Sequence, residues 1–172
     1  NEELKKHDKV RWTMVFLHQP LWLMEEGILI RREGQKTLRK SDTGWPKVEK
    51  ALGDRKYTVF AGHIHHYAKY IRNNRSYYML GTTGGGSQLR GTSFGEFDHA
   101  TWVTMTDQGP QLANLRLDGI LKDDVSTESH QKFWRSLAFE EYFSDGPLLE
   151  GKELTLPIRN HFDFEIKGTL QW

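Results

Sequence analysis

The chain contains no cysteine, which excludes disulfides and thiolate metal sites. No apolar run approaches the ~20 residues that a membrane span requires. Neither sign of charge dominates: Lys plus Arg number 24, Asp plus Glu 23, and the formal net charge is +1. Such a balance asks for neither nucleic acid nor an anionic membrane as partner. No internal repeat, low-complexity segment or signal-peptide pattern is visible. What is there suits one globular domain or slightly more: 172 residues, 37% hydrophobic and 27% charged. The first residue is Asn, and Asn1-Glu2-Glu3-Leu4-Lys5-Lys6 reads as the last turns of a helix already under way. The expectation is a fragment whose N-terminal part is missing. Arg31, Arg32, Lys36, Arg39 and Lys40 make a locally basic run that reads as a solvated loop.

Trp12 to Leu17 is a short run of mostly apolar, β-branched and aromatic residues and predicts a buried strand. It ends at His18-Gln19-Pro20, where Pro20 stops continuation. Leu21 to Gly44 lacks a clean period and reads as a long loop with room for a helical turn. Trp45 to Leu52 predicts a short helix, with Pro46 in its first turn, Thr43 or Gly44 near its cap and Gly53 past its end. Tyr57 to Ala61 predicts a second buried strand, followed by a turn at Gly62. Tyr67 to Arg72 and Ser76 to Leu80 form a hairpin across Asn73-Asn74. Thr101 to Thr106 and Gln111 to Leu117 form another, turned by Asp107-Gln108-Gly109-Pro110. Thr127 to Phe143 predicts a helix capped by Thr127, with Phe133, Leu137 and Trp134 on its apolar face. Glu153 to Ile158 and Phe162 to Leu170 read as strands of a separate element.

Three histidines carry the chemistry. His63 and His65 flank one residue at the end of a predicted strand, directly after Gly62. In a strand, residues i and i+2 point the same way; beyond a glycine turn the chain can splay them toward two neighbouring points. Gly62 would let the backbone approach a crowded centre. Neutral imidazole is the commonest protein ligand for zinc-, manganese- and iron-type ions. A lone His-x-His is a weak signal. His18, however, also ends a buried strand, and two parallel strands ending in histidine place their imidazoles on the carboxyl edge of a sheet, where open α/β sheets bind ligands.

Val15-Phe16-Leu17-His18-Gln19-Pro20 followed by Val59-Phe60-Ala61-Gly62-His63-Ile64-His65 resembles the last two ligand motifs of the calcineurin-like metallophosphoesterases. The resemblance covers roughly Val10 to Leu117. It implies an α/β chain forming part of a four-layer α/β/β/α sandwich, strand-rich, with a C-terminal helix and an extra β segment. It also implies a centre of two divalent ions (Mn, Fe or Zn) that clamps a phosphate mono- or diester and activates a water. His18 and His63 would serve one metal and His65 the other. On this reading residues 1–120 are the C-terminal half of the catalytic domain, 121–150 a helical extension and 151–172 the start of a β-rich module.

The family's three upstream motifs, Asp-x-His, Gly-Asp-x-x-Asp and Gly-Asn-His-Asp/Glu, are absent. Gly53-Asp54 is followed by Tyr57 where the second Asp would stand, and Asn160-His161-Phe162-Asp163 carries a spacer and no preceding Gly. The bridging carboxylate and the histidine that protonates the leaving group go with them, so the chain alone is expected to have little or no activity. Three histidines cannot hold two metals without carboxylates. The alternatives are a mononuclear three-histidine zinc site and a non-catalytic β-rich binding module.

Candidates for supporting or substrate contacts are Gly62, His66, His99 and Trp22, which would wall the pocket. His66 reads more readily as a strand residue pointing away, while His99 reads equally as a loop histidine and Trp22 equally as core. Gly84-Gly85-Gly86-Ser87 reads as a tight loop near the site rather than a phosphate cradle. Trp102 and Trp134 read as core, and His7, His130 and His161 as surface. Open sheet edges predict self-association.

Overall fold

The computed structural model describes residues 2–25 and 43–136. The predicted segments at Glu153 to Ile158 and Phe162 to Leu170, the basic run and His161 lie outside these residues. A short helix α1 (Glu2–Lys6) precedes strand β1 (Thr13–Leu17), followed by helices α2 (Leu21–Glu25) and α3 (Trp45–Leu52). Strand β2 (Tyr57–Ala61) then leads into β3 (Ala68–Arg72) and β4 (Arg75–Met79). These four strands form one sheet in the order β1-β2-β4-β3, parallel across β1, β2 and β4. β3 returns antiparallel on the outer edge of β4. The β3–β4 turn is Asn73-Asn74, both with positive φ (49° and 56°). That is the left-handed backbone a two-residue hairpin turn demands, and Asn adopts it more readily than most residues.

β2 is buried along its whole length, because a central parallel strand is covered on both faces. One face packs Tyr57, Val59, Ala61, Tyr70, Tyr77 and Met79 against Trp22, Leu23, Trp45 and Leu52 of α2 and α3. Trp22, Trp45, Tyr57 and Tyr70 surround the Tyr77 neighbourhood in tilted and edge-to-face contacts 5.1–6.1 Å apart. Each such pair contributes about 0.5–1.5 kcal/mol beyond area burial. The Tyr77 hydroxyl donates to Glu49 of α3 at 2.8 Å, which anchors the helix to the sheet. The opposite face carries Phe60 and Tyr78, with Tyr67 and Phe97, under Val103, Leu112 and Leu121.

Those last three residues belong to a second, antiparallel sheet of β5 (Ala100–Thr106), β6 (Gly109–Arg116) and β7 (Gly119–Lys122). Helix, sheet and sheet therefore stack as three layers in a strand-rich mixed α/β arrangement. No described helix is long and apolar enough to cross a membrane.

Several expectations need correction. The β5–β6 turn is the two residues Asp107-Gln108, since Gly109 already pairs with Thr106. Pro110 is tolerated within β6 because β7 pairs only with Ala113 to Arg116, so the strand is an edge at that point. β7 itself was not expected. It adds a third strand, Gly119 to Lys122, to the second sheet. Asp123 then accepts from Tyr78 and Lys69, both at 2.6 Å, tying the following segment to the first sheet. Helix α4 (Glu128–Ser136) packs on β3 and on a 3-10 turn at Thr92–Phe94; the rest of the predicted Thr127–Phe143 helix lies outside the described residues. Trp102 is 63% exposed on the outer face of β5 rather than in the core. Trp134 is half-buried, stacked on Phe94 with centroids 4.1 Å apart. His130 is also half-buried: its Nδ1 accepts the Thr127 backbone N–H at the start of α4, as an N3 residue does in a capping box.

Candidate metal-binding edge

β1 and β2 run parallel with Leu17 opposite Ala61, so His18 and Gly62 leave the sheet together at its carboxyl edge. One further ladder bond, from the Gly62 N–H to the His18 carbonyl at 3.0 Å, extends the pairing past the strands. The turn that follows is borne by the histidines, not by the glycine. A Cβ on Gly62 would meet nothing closer than the His18 carbonyl at 3.9 Å. His63 has φ 74° and His65 φ 65°. The Ile64 N–H bonds back to the Gly62 carbonyl at 2.9 Å, closing a γ-turn of the rarer positive-φ kind around His63. Non-glycine residues in the left-handed region carry strain that the surroundings must hold in place.

The turn brings Nδ1 of His63 to 2.9 Å from Nε2 of His18, with the rings edge to face. Two imidazole nitrogens ~2.0–2.1 Å from one ion lie roughly 3–3.4 Å apart, so the pair stands close to the spacing of two ligands sharing an ion. His18 is exposed and His63 half-buried, as access from solvent requires.

His65 is turned elsewhere. Its Nδ1 bonds to the Gly86 carbonyl. A carbonyl only accepts, so Nδ1 carries the proton and Nε2 keeps the lone pair. Gly86 closes the glycine-rich loop, which therefore sits against the motif; a Cβ on Gly85 would come within 3.1 Å of Thr82 Cγ2 and 3.9 Å of the His65 ring. Asp98 holds this loop. Its Oδ1 accepts from Thr82 Oγ1 at 2.5 Å and from the Gly84 N–H at 2.9 Å, and the Thr82 hydroxyl, then that N–H, lower its pKa.

His66 turns away from the pair to Glu96, Nε2 to Oε1 at 2.8 Å. Glu96 also takes a fork from Arg90, 2.8 Å from Nε and 2.5 Å from Nη2. Burial pushes the Glu96 pKa up, but Arg90 and His66 more than offset it, and the group is held below the ordinary carboxylate range. His99 is buried between Tyr67 and Phe97. Its N–H donates to the Thr82 carbonyl and its own carbonyl accepts from Thr83, so it supports the glycine-rich loop. Burial lowers its pKa. Trp22 has no exposed surface and belongs to the aromatic core, so it walls no pocket.

No group of three or more His, Asp or Glu arranged to hold a metal ion occurs among the described residues. Asp98 and Glu96, the carboxylates on the loops beside the motif, are engaged as described above. Sequence reading missed Glu96 and Arg90, because a carboxylate and a guanidinium six residues apart in a loop carry no periodic signal. No protein family, curated protein or solved structure matches the chain.

Proposed function

We propose that this chain carries the imidazole side of a divalent-metal phosphoesterase centre of the calcineurin-like kind, and that its three layers are part of an α/β/β/α sandwich. One observation carries the reading: parallel strands deliver His18 and His63 to one carboxyl edge with their nitrogens 2.9 Å apart. His18 and His63 would hold one ion, and His65, set apart on Gly86, would serve another. When bound, such an ion polarises phosphoryl oxygens and acidifies a water. The substrate class is a phosphate mono- or diester. A mononuclear site on all three histidines fits less well, because the described residues gather no group of three potential ligands.

A binding module is the second reading. It draws on the outer face of the second sheet, where Trp102 and Ile120 are 63% and 74% exposed.

Calorimetric titration with zinc and with manganese tests the proposal, alongside hydrolysis of an aryl phosphate diester. The expected result is ion binding that His63→Ala weakens roughly tenfold or more, with little turnover by the chain alone. Binding unchanged in His63→Ala, or no binding, would reject the metal site. Robust turnover abolished by His63→Ala would show that the carboxylate motifs are dispensable.

A further inference from the structure

Glu96 is the most deeply buried acidic side chain among the described residues, 2% exposed. An ionised carboxylate is strongly disfavoured in such a place unless it is paired and fully hydrogen-bonded. Arg90 supplies its guanidinium fork and its backbone N–H at 3.3 Å. The bond to His66 adds a further partner. Its consequence is positional: it fixes the residue that directly follows His65.

A second tie runs beside it. The Tyr67 N–H donates to the Gly95 carbonyl at 2.6 Å. Gly95 has φ 72°, and a Cβ there would fall 2.1 Å from the Tyr67 carbonyl oxygen. Residues 66 and 67 are thus clamped to residues 95 and 96 by one side-chain bond and one main-chain bond. Glu96 and Gly91 are paired in turn through both their N–H and C=O groups. Immediately before the clamp stands His65 at φ 65° with its ring on Gly86.

We propose that Glu96 is a positioning residue: acting through His66, it holds His65 in its left-handed conformation, keeping that imidazole on Gly86 and apart from the His18–His63 pair. The inference rests on the metal-site reading for its purpose, the separation of two ligand points, but not for its geometry.

The test uses the whole chain and the variants Glu96→Gln and His66→Gln. The second keeps the Arg90–Glu96 pair intact and decides the matter if the first does not fold. Nitrogen-15 spectra of the imidazole rings at pH 8 read the tautomers. Wild type should show His65 as the Nδ1–H form. Both variants should shift it toward the Nε2–H form that imidazole prefers in water, and zinc affinity, read by competition with a chromophoric chelator, should fall roughly tenfold. A merely structural role would lower the melting temperature and leave the His65 ring signals unchanged, which would overturn the proposal. If wild type binds no zinc, the metal-site reading falls and the tautomer spectra still judge Glu96.

Discussion

His63 Nδ1 lies 2.9 Å from Nε2 of His18, a residue 45 positions earlier in the chain. Neither side chain reaches the other by local geometry. The contact is set by the register of β1 on β2, extended by the Gly62–His18 backbone bond. If both imidazoles serve one ion, removing either removes most of its affinity. His18→Ala and His63→Ala should each weaken zinc binding by a similar factor, roughly tenfold or more. The double variant should be little worse than either single one, since residues acting on one ligand are not additive. Chelator competition measures all four proteins, and multiplicative losses would mean separate sites.

Two glycines with similar φ should respond differently to a methyl group. Gly84 (φ 81°) has open space where a Cβ would be, whereas at Gly95 (φ 72°) that atom would fall 2.1 Å from the Tyr67 carbonyl oxygen. Gly84→Ala should cost about 1–2 kcal/mol, the ordinary penalty of the left-handed region. Gly95→Ala adds a backbone clash and should cost roughly 3 kcal/mol or more. Urea midpoints at constant slope give both numbers. Equal losses would show that the segment relaxes freely.

Stability should rise as pH climbs toward the ordinary histidine pKa of about 6.5. Burial depresses the His99 pKa, with the Phe97 carbonyl and Asp98 acting the other way. His130 is shifted the same way, also by burial. The unfolded chain titrates these groups near 6.5 and so binds more protons than the folded chain just below that pH. Stability is therefore greatest above about 6.5 and falls as pH drops toward the folded values. Denaturant midpoints across the range should show this slope, and His99→Gln should flatten it. A slope unchanged in His99→Gln would assign it to other groups.

Phe16 is 72% exposed on β1, which pairs with β2 on one side and with no other strand among the described residues. Its ring stacks on Phe60 at 5.1 Å, which in turn stacks near Tyr78, so an aromatic row runs out to the open edge. Unpaired edges with apolar side chains promote association. The chain should self-associate with rising concentration in light scattering, and Phe16→Lys should suppress this at a stability cost of about 1 kcal/mol. A wild-type monomer at high concentration would count against the idea.

Much of the frame was legible because its residues obey short-range rules. β2 was read correctly from Tyr57 to Ala61 because a short aromatic and β-branched run, in which Thr58 is the one polar residue, suits a strand covered on both faces. The Asn73-Asn74 turn was legible because few residues other than Asn and Gly accept two successive positive φ angles. β7 was missed because three of its four residues are exposed and Leu121 alone faces the core, too short a pattern to read, although Asp118-Gly119 offered a turn signal. Trp102 was misread because composition cannot say which face of a sheet is covered. At the motif, the spacing of His63 and His65 was visible, but their positive φ and the particular partners that hold His65 and His66 were not. Those depend on Gly86 and on the Glu96 clamp, 21 and more residues downstream.

The parallel pairing of β1 with β2 also fixes when the histidine pair can exist. A parallel ladder needs a crossover, here the whole chain from His18 to His63, and such non-local closure is slow compared with hairpins like β3–β4 or β5–β6. The pair therefore assembles after the local turns, and a register slip of one residue would carry His18 about 3.3 Å along the strand and onto the other face. Proximity of the two imidazoles is thus a gauge of whether the central strands have closed in the correct register.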